Sequence, residues 1–485
     1  MGTDHGKHSR GQAGSPANAL PGAGQRVSDD CLKAKLRELL DHHQSGRLAQ
    51  ADTMYREMLA ESQDYPDVLH SLGMSAYLMG NLQEAEGLLR RVRATLPENA
   101  DVHNDFGLVL LALGSLDASV SEFFRAIAIR PDFAEARNNL GCALFKLGKV
   151  ADAIECFRHA ANIKPGYAET RKNLGDLLAS SGEHEEAAHC YREAVAINPS
   201  YAEAWFNLGG VHYSNGSRAE ALECYRQVVR FVPDHPIAFH LVAALSGNSL
   251  ERASREYVER VFDGYAGKFE TYLVQDLKYD IPEKMATLLR EYAPPSTAKW
   301  KVLDLGCGTG LVAEAISAHA EHLTGVDLSA KMLAIAEKKG IYTRLIKEDL
   351  ADFMRKEAAA SYDIISAADV FIYLGKLDTV FVEAHRLLTD GGLFSFSAED
   401  LDAAETDVAG NSRADGYALT RPGRFAHSPV FLEALASKCG FRVLRMEPTR
   451  VRFDKGEPVY GWLALWEKAD ARLGTLANKS EQTTV

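Results

Sequence analysis

The pattern of apolar and polar residues changes about midway along the chain. From residue 300 onward, short apolar runs alternate with amphipathic stretches, which predicts alternating strands and helices. The predicted strands are residues 301–305, 322–326, 342–346, 364–367, 393–397, 441–447 and 459–466. Helices fall between the first five strands, whereas the last two strands follow each other directly. This order predicts a seven-stranded, mostly parallel sheet with helices on both faces and an antiparallel strand at or near one edge.

The first half of the chain repeats with a period of 34 residues. Three sets of residues keep this spacing: Gly73, Gly107, Gly141, Gly175 and Gly209; Gly80, Gly114, Gly148, Gly182 and Gly216; and Pro97, Pro131, Pro165, Pro199 and Pro233. In each unit the first glycine allows two helices to pack closely, the second breaks the chain between them, and the proline ends the second helix. Such units bury their apolar faces only by stacking, so this half predicts an all-α solenoid with a concave groove.

Small residues also recur at the predicted helix crossings with this period. They are Ala51, Ala85, Ser119, Ala153, Ala187 and Ala221. The period and the Ala, Gly and Pro pattern resemble the tetratricopeptide repeat over about residues 31–233, with a degenerate first unit and a capping helix near 236–245. We predict a disordered leader (1–30), a repeat solenoid (31–246), a linker with aromatic lid helices (247–298), an α/β domain (299–469) and a disordered tail (470–485).

The predicted groove carries a ladder of polar side chains at one position of successive repeats. These residues are Asp105, Asn139, Asn173 and Asn207. An amide offers both a donor and an acceptor, so the ladder is suited to pairing with the backbone of an extended peptide. It resembles the asparagine ladder of the nucleocytoplasmic N-acetylglucosamine transferase, which implies a protein or peptide partner. The alternative is that the amides solvate the groove or bond a neighbouring helix.

The stretch VLDLGCGTG, residues 302–310, is the most informative motif. Gly306, Gly308 and Gly310 follow the end of the first predicted strand and allow a backbone turn that side chains would block, before a predicted helix. Acidic residues stand at the carboxyl ends of the first three strands, at the rim where such sheets bind ligands: Asp304, Asp327 and Asp349.

Together with the strand order, these residues resemble the Rossmann-like class I methyltransferases that use S-adenosylmethionine. The resemblance implies that Asp304 holds the methionine part of this cofactor, that Asp327 accepts from the ribose hydroxyls, and that Asp349 accepts from the adenine amino group. The implied cofactor-binding set is Tyr265, Asp304, Gly306, Cys307, Gly308, Gly310, Asp327, Leu328, Asp349 and Leu350. A dinucleotide oxidoreductase is the competing interpretation, but its GxGxxG fingerprint is not matched, because the spacing here is GxGxG with Leu311 next.

An aromatic segment precedes the sheet. Residues 261–279 include Tyr265, Phe269, Tyr272 and Tyr279, and the segment resembles the lid of bacterial methyltransferases fused to tetratricopeptide repeats. The alternative is an amphipathic helix whose aromatic residues pack into the core.

Three residues are candidates for catalysis. Asp369 and Tyr373 follow the fourth strand, where the family places the transferred methyl group, and His427 is a candidate general base. Arg421 and Arg424 flank His427 and are suited to hold a carboxylate or phosphate of the acceptor. The alternatives are a helix cap for Asp369, core packing for Tyr373 and a solvated loop for His427.

Composition narrows the choice of partners. The formal net charge of −13 argues against a broad nucleic-acid interface. The seven cysteines contain no CxxC pair, so we predict neither a disulfide framework nor a metal site. No apolar run approaches the ~18 residues that cross a membrane, and we expect a cytoplasmic protein.

The predicted function is a methyltransferase whose repeats recruit a protein or peptide as partner or substrate. The alternatives are a small-molecule methyltransferase with repeats used for assembly, and a non-catalytic scaffold that binds the cofactor.

Overall fold

The computed structural model describes residues 45, 47, 50, 53–54, 56–57, 65–248, 250–271, 273, 277–293, 299–404, 415–454 and 456–469. The predicted leader and tail, most of the degenerate first repeat, and Tyr272 of the predicted lid lie outside these residues. The chain divides into two compact units, Met1–Leu177 and Leu178–Val485. The domain boundaries proposed from the sequence remain a prediction.

The first unit consists of paired helices. Their bounds are α1 Pro66–Leu78, α2 Leu82–Thr95, α3 Ala100–Ala112, α4 Leu116–Ile129, α5 Ala134–Lys146, α6 Val150–Ile163 and α7 Ala168–Ser180, the last of which contains the unit boundary. Gly80, Gly114 and Gly148 lie between the two helices of a pair with φ of 81°, 79° and 78°, a conformation that glycine adopts without strain. The predicted helix pairs are therefore confirmed.

The first glycine of each repeat permits close helix packing, as predicted. A Cβ added at Gly107 of α3 would lie 2.6 Å from the Phe123 ring of α4, and one at Gly141 of α5 would lie 2.8 Å from the Phe157 ring of α6. The small side chains Ser119 and Ala153 at these crossings are fully buried. In these two repeats, the missing side chain on one helix makes room for an aromatic ring on the other.

Replacing Gly107 with alanine is expected to destabilise the protein by about 1–3 kcal/mol, because the new methyl group overpacks against Phe123. Gly87, in the interior of α2, is a matched control because a Cβ there would meet nothing within 4 Å. Gly87→Ala is expected to stabilise the protein by up to about 1 kcal/mol through helix propensity. Urea denaturation measures both, and equal effects of the two substitutions would contradict the packing argument.

The second unit begins with further repeat helices and continues into the α/β domain. Its helices are α8 His184–Ile197, α9 Ala202–Ser214, α10 Arg218–Phe231, α11 Pro236–Ser246, α12 Arg255–Tyr265, α13 Ile281–Tyr292, α14 Leu311–Ile316, α15 Ala330–Lys338, α16 Leu350–Lys356, α17 Asp378–Leu387 and α18 Pro429–Cys439. Short helical turns occupy Ala266–Lys268, Phe269–Thr271, Ser317–His319 and Phe371–Tyr373. The predicted capping helix corresponds to α11.

Nine strands form one sheet within the described part of this unit. They are β1 Trp300–Leu305, β2 Ala320–Asp327, β3 Arg344–Lys347, β4 Tyr362–Ala367, β5 Leu388–Asp400, β6 Tyr417–Leu419, β7 Phe425–His427, β8 Phe441–Asp454 and β9 Glu457–Lys468. The order is β3-β2-β1-β4-β5, and these neighbours are parallel. Antiparallel β9 pairs with β5 and β8, while the hairpin of β6 and β7 pairs with the end of β5. All seven predicted strands are present, and the short hairpin was not predicted.

Helices cover both faces of the sheet because its strands are apolar on both sides. Adjacent residues of β1 enter different clusters: Leu303 packs with Phe353 of α16, whereas Val302 packs with Met285 of α13. The Rossmann-like architecture predicted from the strand order is thus confirmed. No helix in the described ranges is both long and apolar enough to span a bilayer.

Candidate functional site

The glycine-rich turn after β1 adopts backbone conformations that favour glycine. Gly306, Gly308 and Gly310 have φ of 59°, 53° and 89°. A Cβ at Gly306 would lie 2.7 Å from Val370, and one at Gly310 would lie 2.9 Å from the Tyr342 ring. The turn therefore needs glycine both for its backbone angles and for the close approach of Val370 and Tyr342.

A cavity of about 270 Å³ lies at this rim. Most of the residues predicted for cofactor binding and catalysis line it: Tyr265, Asp304, Gly306, Cys307, Gly308, Asp327, Leu328, Asp349, Leu350, Asp369 and Tyr373. Gly310 and His427 do not line the cavity. Burial raises the pKa of the Cys307 thiol well above its usual value, which keeps the thiol neutral.

Asp304 is held at the end of β1 by two hydroxyl groups. Its Oδ2 accepts from the Tyr342 hydroxyl and its Oδ1 from the Ser366 hydroxyl of β4, both at 2.7 Å. Burial raises the pKa of Asp304 to about 6, against the lowering effect of these two hydrogen bonds. Near neutral pH it is a desolvated carboxylate, which is suited to a cationic ligand group.

Asp327 at the end of β2 is tied to the glycine-rich turn. Its Oδ2 accepts from the Gly308 N–H at 2.9 Å and its Oδ1 from the Ser329 N–H at 2.8 Å. Burial raises its pKa, although these backbone donors act in the opposite direction. The carboxylate retains lone pairs that can accept from hydroxyl groups in the cavity.

Asp349 is already engaged on both oxygens. Its Oδ1 accepts from the Ala351 and Asp352 N–H groups and caps α16, while its Oδ2 pairs with Arg252 at 2.5 Å and Arg255 at 3.2 Å. Burial raises the pKa of Asp349, but the hydrogen bond and charge of Arg252 outweigh it and hold the pKa below its usual value. The structure brings this residue to the cavity wall, yet its oxygens have other partners.

The aromatic segment covers the cavity. Phe262 lies 5.7 Å from Phe269 and 5.5 Å from Tyr373 between ring centroids, while Tyr265 lines the cavity and remains 58% exposed. Asp263, on the same helix, accepts from the Ser329 hydroxyl at 2.5 Å beside Asp327. The segment is thus fastened to the loop after β2.

Asp369 lies after β4 in a strained backbone conformation, with φ of 59°. Its N–H donates to the Ser397 hydroxyl at 2.9 Å, and its Oδ2 accepts from Arg452 at 2.6 Å. Arg452 also donates to Glu399 and is 2% exposed. Asp369 Oδ1 is buried and has no hydrogen-bond partner among the described residues, so one acceptor atom is available at the cavity.

Two more groups complete this end of the cavity. Burial raises the pKa of Tyr373, so its phenol stays protonated at neutral pH and acts as a donor rather than a base. Arg424 lines the cavity and donates to Asp454 at 2.8 Å. Arg421, its predicted companion, does not line the cavity.

His427 is not placed to act as a general base. It is fully buried in β7, stacks on Phe431, and its Nε2 lies 3.1 Å from the Gly375 carbonyl oxygen. Burial lowers the pKa of His427 to about 4. The sequence interpretation failed here because a histidine before a helix start carries no information about which way its side chain points.

The low pKa of His427 predicts a pH effect on stability. Its pKa rises from about 4 in the folded chain to the ordinary 6.5 on unfolding, so the unfolded chain binds more protons between these values. Stability is full above pH 6.5 and falls by up to about 3 kcal/mol as the pH drops to 4.

A His427→Gln variant keeps a hydrogen-bond donor without this titration. Asp304, whose pKa is raised, acts with the opposite sign below pH 6 in both proteins, so it cancels in the comparison. Denaturation midpoints measured from pH 7 to 4 are expected to converge as the pH falls. If the midpoints of the two proteins changed with pH in parallel, the low pKa of His427 in the folded chain would be contradicted.

Several site residues were not found from the sequence. They are Arg252, Tyr342, Ser366, Glu399 and Arg452. Polar or charged residues inside otherwise apolar strands, such as Ser366 in β4 and Glu399 in β5, were the available indication. Their partners become evident only when the strands are placed side by side.

The ladder amides in the first unit bond to neighbouring repeats. The Asn139 amide donates to Asn104 at 2.9 Å, the Asn173 amide donates to Asn138 at 3.0 Å, and Asp105 pairs with His70 at 2.8 Å. These three residues and Asn207 of the second unit are half-buried. Inter-repeat bonding thus occupies part of the ladder's hydrogen-bonding capacity.

Known protein families match both halves of the chain. A methyltransferase domain family matches residues 302–392. Families described as TPR repeat match residues 107–148 and 175–216, and families described as tetratricopeptide repeat match residues 42–105, 134–167 and 202–235. These matches confirm the two resemblances found in the sequence.

Individual relatives are similar over shorter stretches. The chain is 27% identical to a malonyl-[acyl-carrier protein] O-methyltransferase of Bacillus cereus over 146 residues, 30% of this chain and 53% of the relative. It is 30% identical to a ubiquinone biosynthesis O-methyltransferase of Pseudomonas syringae pv. tomato over 104 residues, 20% of this chain and 43% of the relative. The chain therefore spans about half the length of these relatives. Among solved structures, Pseudomonas aeruginosa pilF is 20% identical, with a TM-score of 0.37, over 42% of this chain and 94% of pilF.

Proposed function

We propose that this chain, which combines tetratricopeptide repeats with a class I methyltransferase domain, transfers a methyl group from S-adenosylmethionine to an oxygen of its acceptor. One observation carries the proposal: Asp304, Asp327 and Asp349, from the ends of three adjacent parallel strands, face one cavity beside a glycine-rich turn. A dinucleotide pyrophosphate is disfavoured there, because the buried Asp304 and Asp327 would repel its charge.

The residues present fit S-adenosylmethionine. Gly306 and Gly308 leave space for the amino-acid part, and Asp304 supplies a negative charge for its ammonium group. Asp327 would accept from the ribose hydroxyls, and Leu328 with Leu350 would contact the adenine. Asp349 would accept from the adenine amino group only if Arg252 released one of its oxygens. Its present contribution is to cap α16 and so to place Leu350.

The bound cofactor would supply an electrophilic methyl group on a sulfonium. The chain has to exclude water, orient the acceptor and receive its proton. Phe262, Tyr265 and Phe269 cover the cavity, and the Tyr373 hydroxyl is available to donate to the acceptor. The free Oδ1 of Asp369 is the atom suited to accept the acceptor's proton. His427 takes no part.

An oxygen acceptor is favoured by two considerations. A carboxylate accepts a proton from a hydroxyl as the bond to the methyl group forms, and the O-methyltransferase relatives align with this domain. The relatives' own substrates differ from one another, so the acceptor is proposed only as a class.

The repeats are proposed to recruit a protein or peptide that is the substrate or delivers it. Repeat grooves present extended surfaces, and Asp105, Asn139 and Asn173 remain partly exposed there. The two alternatives are a small-molecule methyltransferase whose repeats serve assembly, and a scaffold that binds the cofactor without turnover.

Calorimetry with S-adenosylhomocysteine and with NADH tests the cofactor proposal on the full chain. We expect binding of the first ligand; binding of NADH alone would refute the proposal. A screen with methyl-labelled S-adenosylmethionine and fractionated lysate then tests the acceptor. Label in protein supports recruitment, label only in metabolites supports the small-molecule alternative, and label in neither supports the scaffold.

A further inference from the structure

We propose that Arg424 recognises an anionic group of the methyl acceptor, a carboxylate or a phosphate, and that the last repeat helices hold the loop that carries it. This inference rests on the proposed methyltransferase function and adds to it a class of acceptor. It also gives the end of the repeat domain a second role, because that end supports the acceptor side of the active site.

Arg252, Arg424 and Arg452 line the cavity, and they differ in how many of their donor groups have partners; Arg252 pairs with Asp349. Arg452 donates to both Asp369 and Glu399, so its single positive charge is exceeded by two carboxylates. Among the described residues, Arg424 donates only from Nη1, to Asp454, which does not line the cavity. The Nε and Nη2 groups of Arg424 have no partner within the ranges the structure describes. A guanidinium with free donors at a cavity wall is suited to a carboxylate or phosphate.

Both negative and positive side chains line this end of the cavity. Asp369 and Glu399 leave a negative excess near the free Oδ1 of Asp369, where the acceptor hydroxyl is proposed to lie. Arg424 supplies positive charge at another part of the same wall. An acceptor that carries a hydroxyl group and a separate anionic group could place the hydroxyl at Asp369 and the anion at Arg424.

Arg424 ends a tight loop between β6 and β7. The Thr420 N–H and hydroxyl both donate to the Arg424 carbonyl oxygen at 2.8 Å, and the Gly423 N–H donates to the Thr420 carbonyl oxygen at 2.9 Å. Gly423 has φ of 79°, which a glycine adopts without strain. The loop is therefore defined by its own hydrogen bonds.

The repeat helices contact this loop directly. His240 of α11 lies with Nε2 2.8 Å from the Gly423 carbonyl oxygen, and its ring stacks on Tyr257 at 4.0 Å. The Tyr213 hydroxyl of α9 donates to the Arg421 carbonyl oxygen at 3.4 Å.

An apolar contact supports the same hairpin. Ala243 and Ala244 of α11 pack on Tyr417, Leu419 and Phe425 of β6 and β7. The hairpin pairs with only the end of β5, and α11 is one of the elements that pack on it, together with Leu401 and Phe431. The position of Arg424 consequently depends on the repeat end.

The test uses the full chain saturated with S-adenosylhomocysteine and two matched probe pairs: 4-hydroxybenzoate with 4-hydroxybenzamide, and phenyl phosphate with phenol. Calorimetry is expected to show at least tenfold tighter binding of one anionic probe than of its neutral partner. Preference for the benzoate identifies a carboxylate and preference for the phosphate identifies a phosphate. No preference in either pair, or no binding of either anion, overturns the proposal.

Variants then test which residues cause the preference for the anionic probe. In Arg424→Met, the affinities for the anionic and the neutral probe should differ by no more than about twofold, whereas Arg424→Lys should retain part of the preference for the anion. Arg442→Met removes an exposed arginine of β8 and should leave the preference unchanged. His240→Phe keeps an aromatic ring on Tyr257 but loses the Gly423 contact. His240→Phe and Tyr213→Phe should each weaken binding of the anionic probe severalfold. The affinity for S-adenosylhomocysteine should not change in either variant.

An unchanged preference in Arg424→Met refutes the recognition role, and unchanged anion binding in both aromatic variants refutes the support from the repeats. Failure of S-adenosylhomocysteine to bind the unaltered chain would refute the methyltransferase proposal instead, and is seen before any anion is added.

Discussion

Replacing Asp327 with asparagine is expected to weaken binding of S-adenosylhomocysteine about 100-fold. The carboxylate would accept two charge-assisted hydrogen bonds from the ribose, each contributing about 1.5–3 kcal/mol. The asparagine also places an NH₂ group against either the Gly308 or the Ser329 N–H, both of which now donate to Asp327. The glycine-rich turn therefore loses an anchor as well as a ligand contact.

The same substitution at Asp378 provides the control. Asp378 begins α17, pairs with Lys438 at 2.5 Å and does not line the cavity. Calorimetry on Asp378→Asn is expected to give the affinity of the unaltered protein. If Asp327→Asn also bound the ligand with unaltered affinity, the ribose assignment would have to be abandoned.

Replacing Arg452 with methionine is expected to destabilise the second unit by about 3–5 kcal/mol. Arg452 is the partner of both Asp369 and Glu399, and removing it leaves the buried Glu399 and the half-buried Asp369 without this cation. Guanidinium denaturation of the full chain at neutral pH measures the loss.

Neutralising the carboxylates that have lost Arg452 shows whether the loss of stability comes from their charge or from side-chain packing. The triple variant Arg452→Met, Asp369→Asn and Glu399→Gln should recover most of the lost stability, because no buried charge then lacks a partner. Arg442→Met removes an exposed arginine and should cost less than about 1 kcal/mol. A triple variant as unstable as Arg452→Met would show that side-chain packing, rather than charge, accounts for the loss.

The elements that could be predicted from the sequence are those with a regular local pattern. The repeat glycines recur every 34 residues, and the seven predicted strands are short, largely apolar stretches, so both can be read directly from the pattern of residues along the chain. The β6 and β7 strands have three residues each and lack such a run. Their pairing depends on the end of β5 and on α11, which are distant in sequence.

The residues of the candidate site also differ in whether the sequence could predict their positions. Asp304 and Asp327 follow strands that meet at one rim, so their arrival at the cavity follows from the strand order. The Asp349 carboxylate also arrives there, but its pairing with Arg252, 97 residues earlier, was not evident. His427 directs its ring into the core, which depends on its neighbours in β6 and α18.

By itself, the sequence determined the solenoid, the strand order and the acidic rim, because periodicity and strand ends are properties of neighbouring residues. Only the tertiary structure decided which charges meet inside the cavity. Asp369 and Arg452 are 83 residues apart, and Arg452 and Glu399 are 53 apart. The pairing of β5 with β9 and of β9 with β8 brings them together, and that register is set by side-chain packing across the whole sheet.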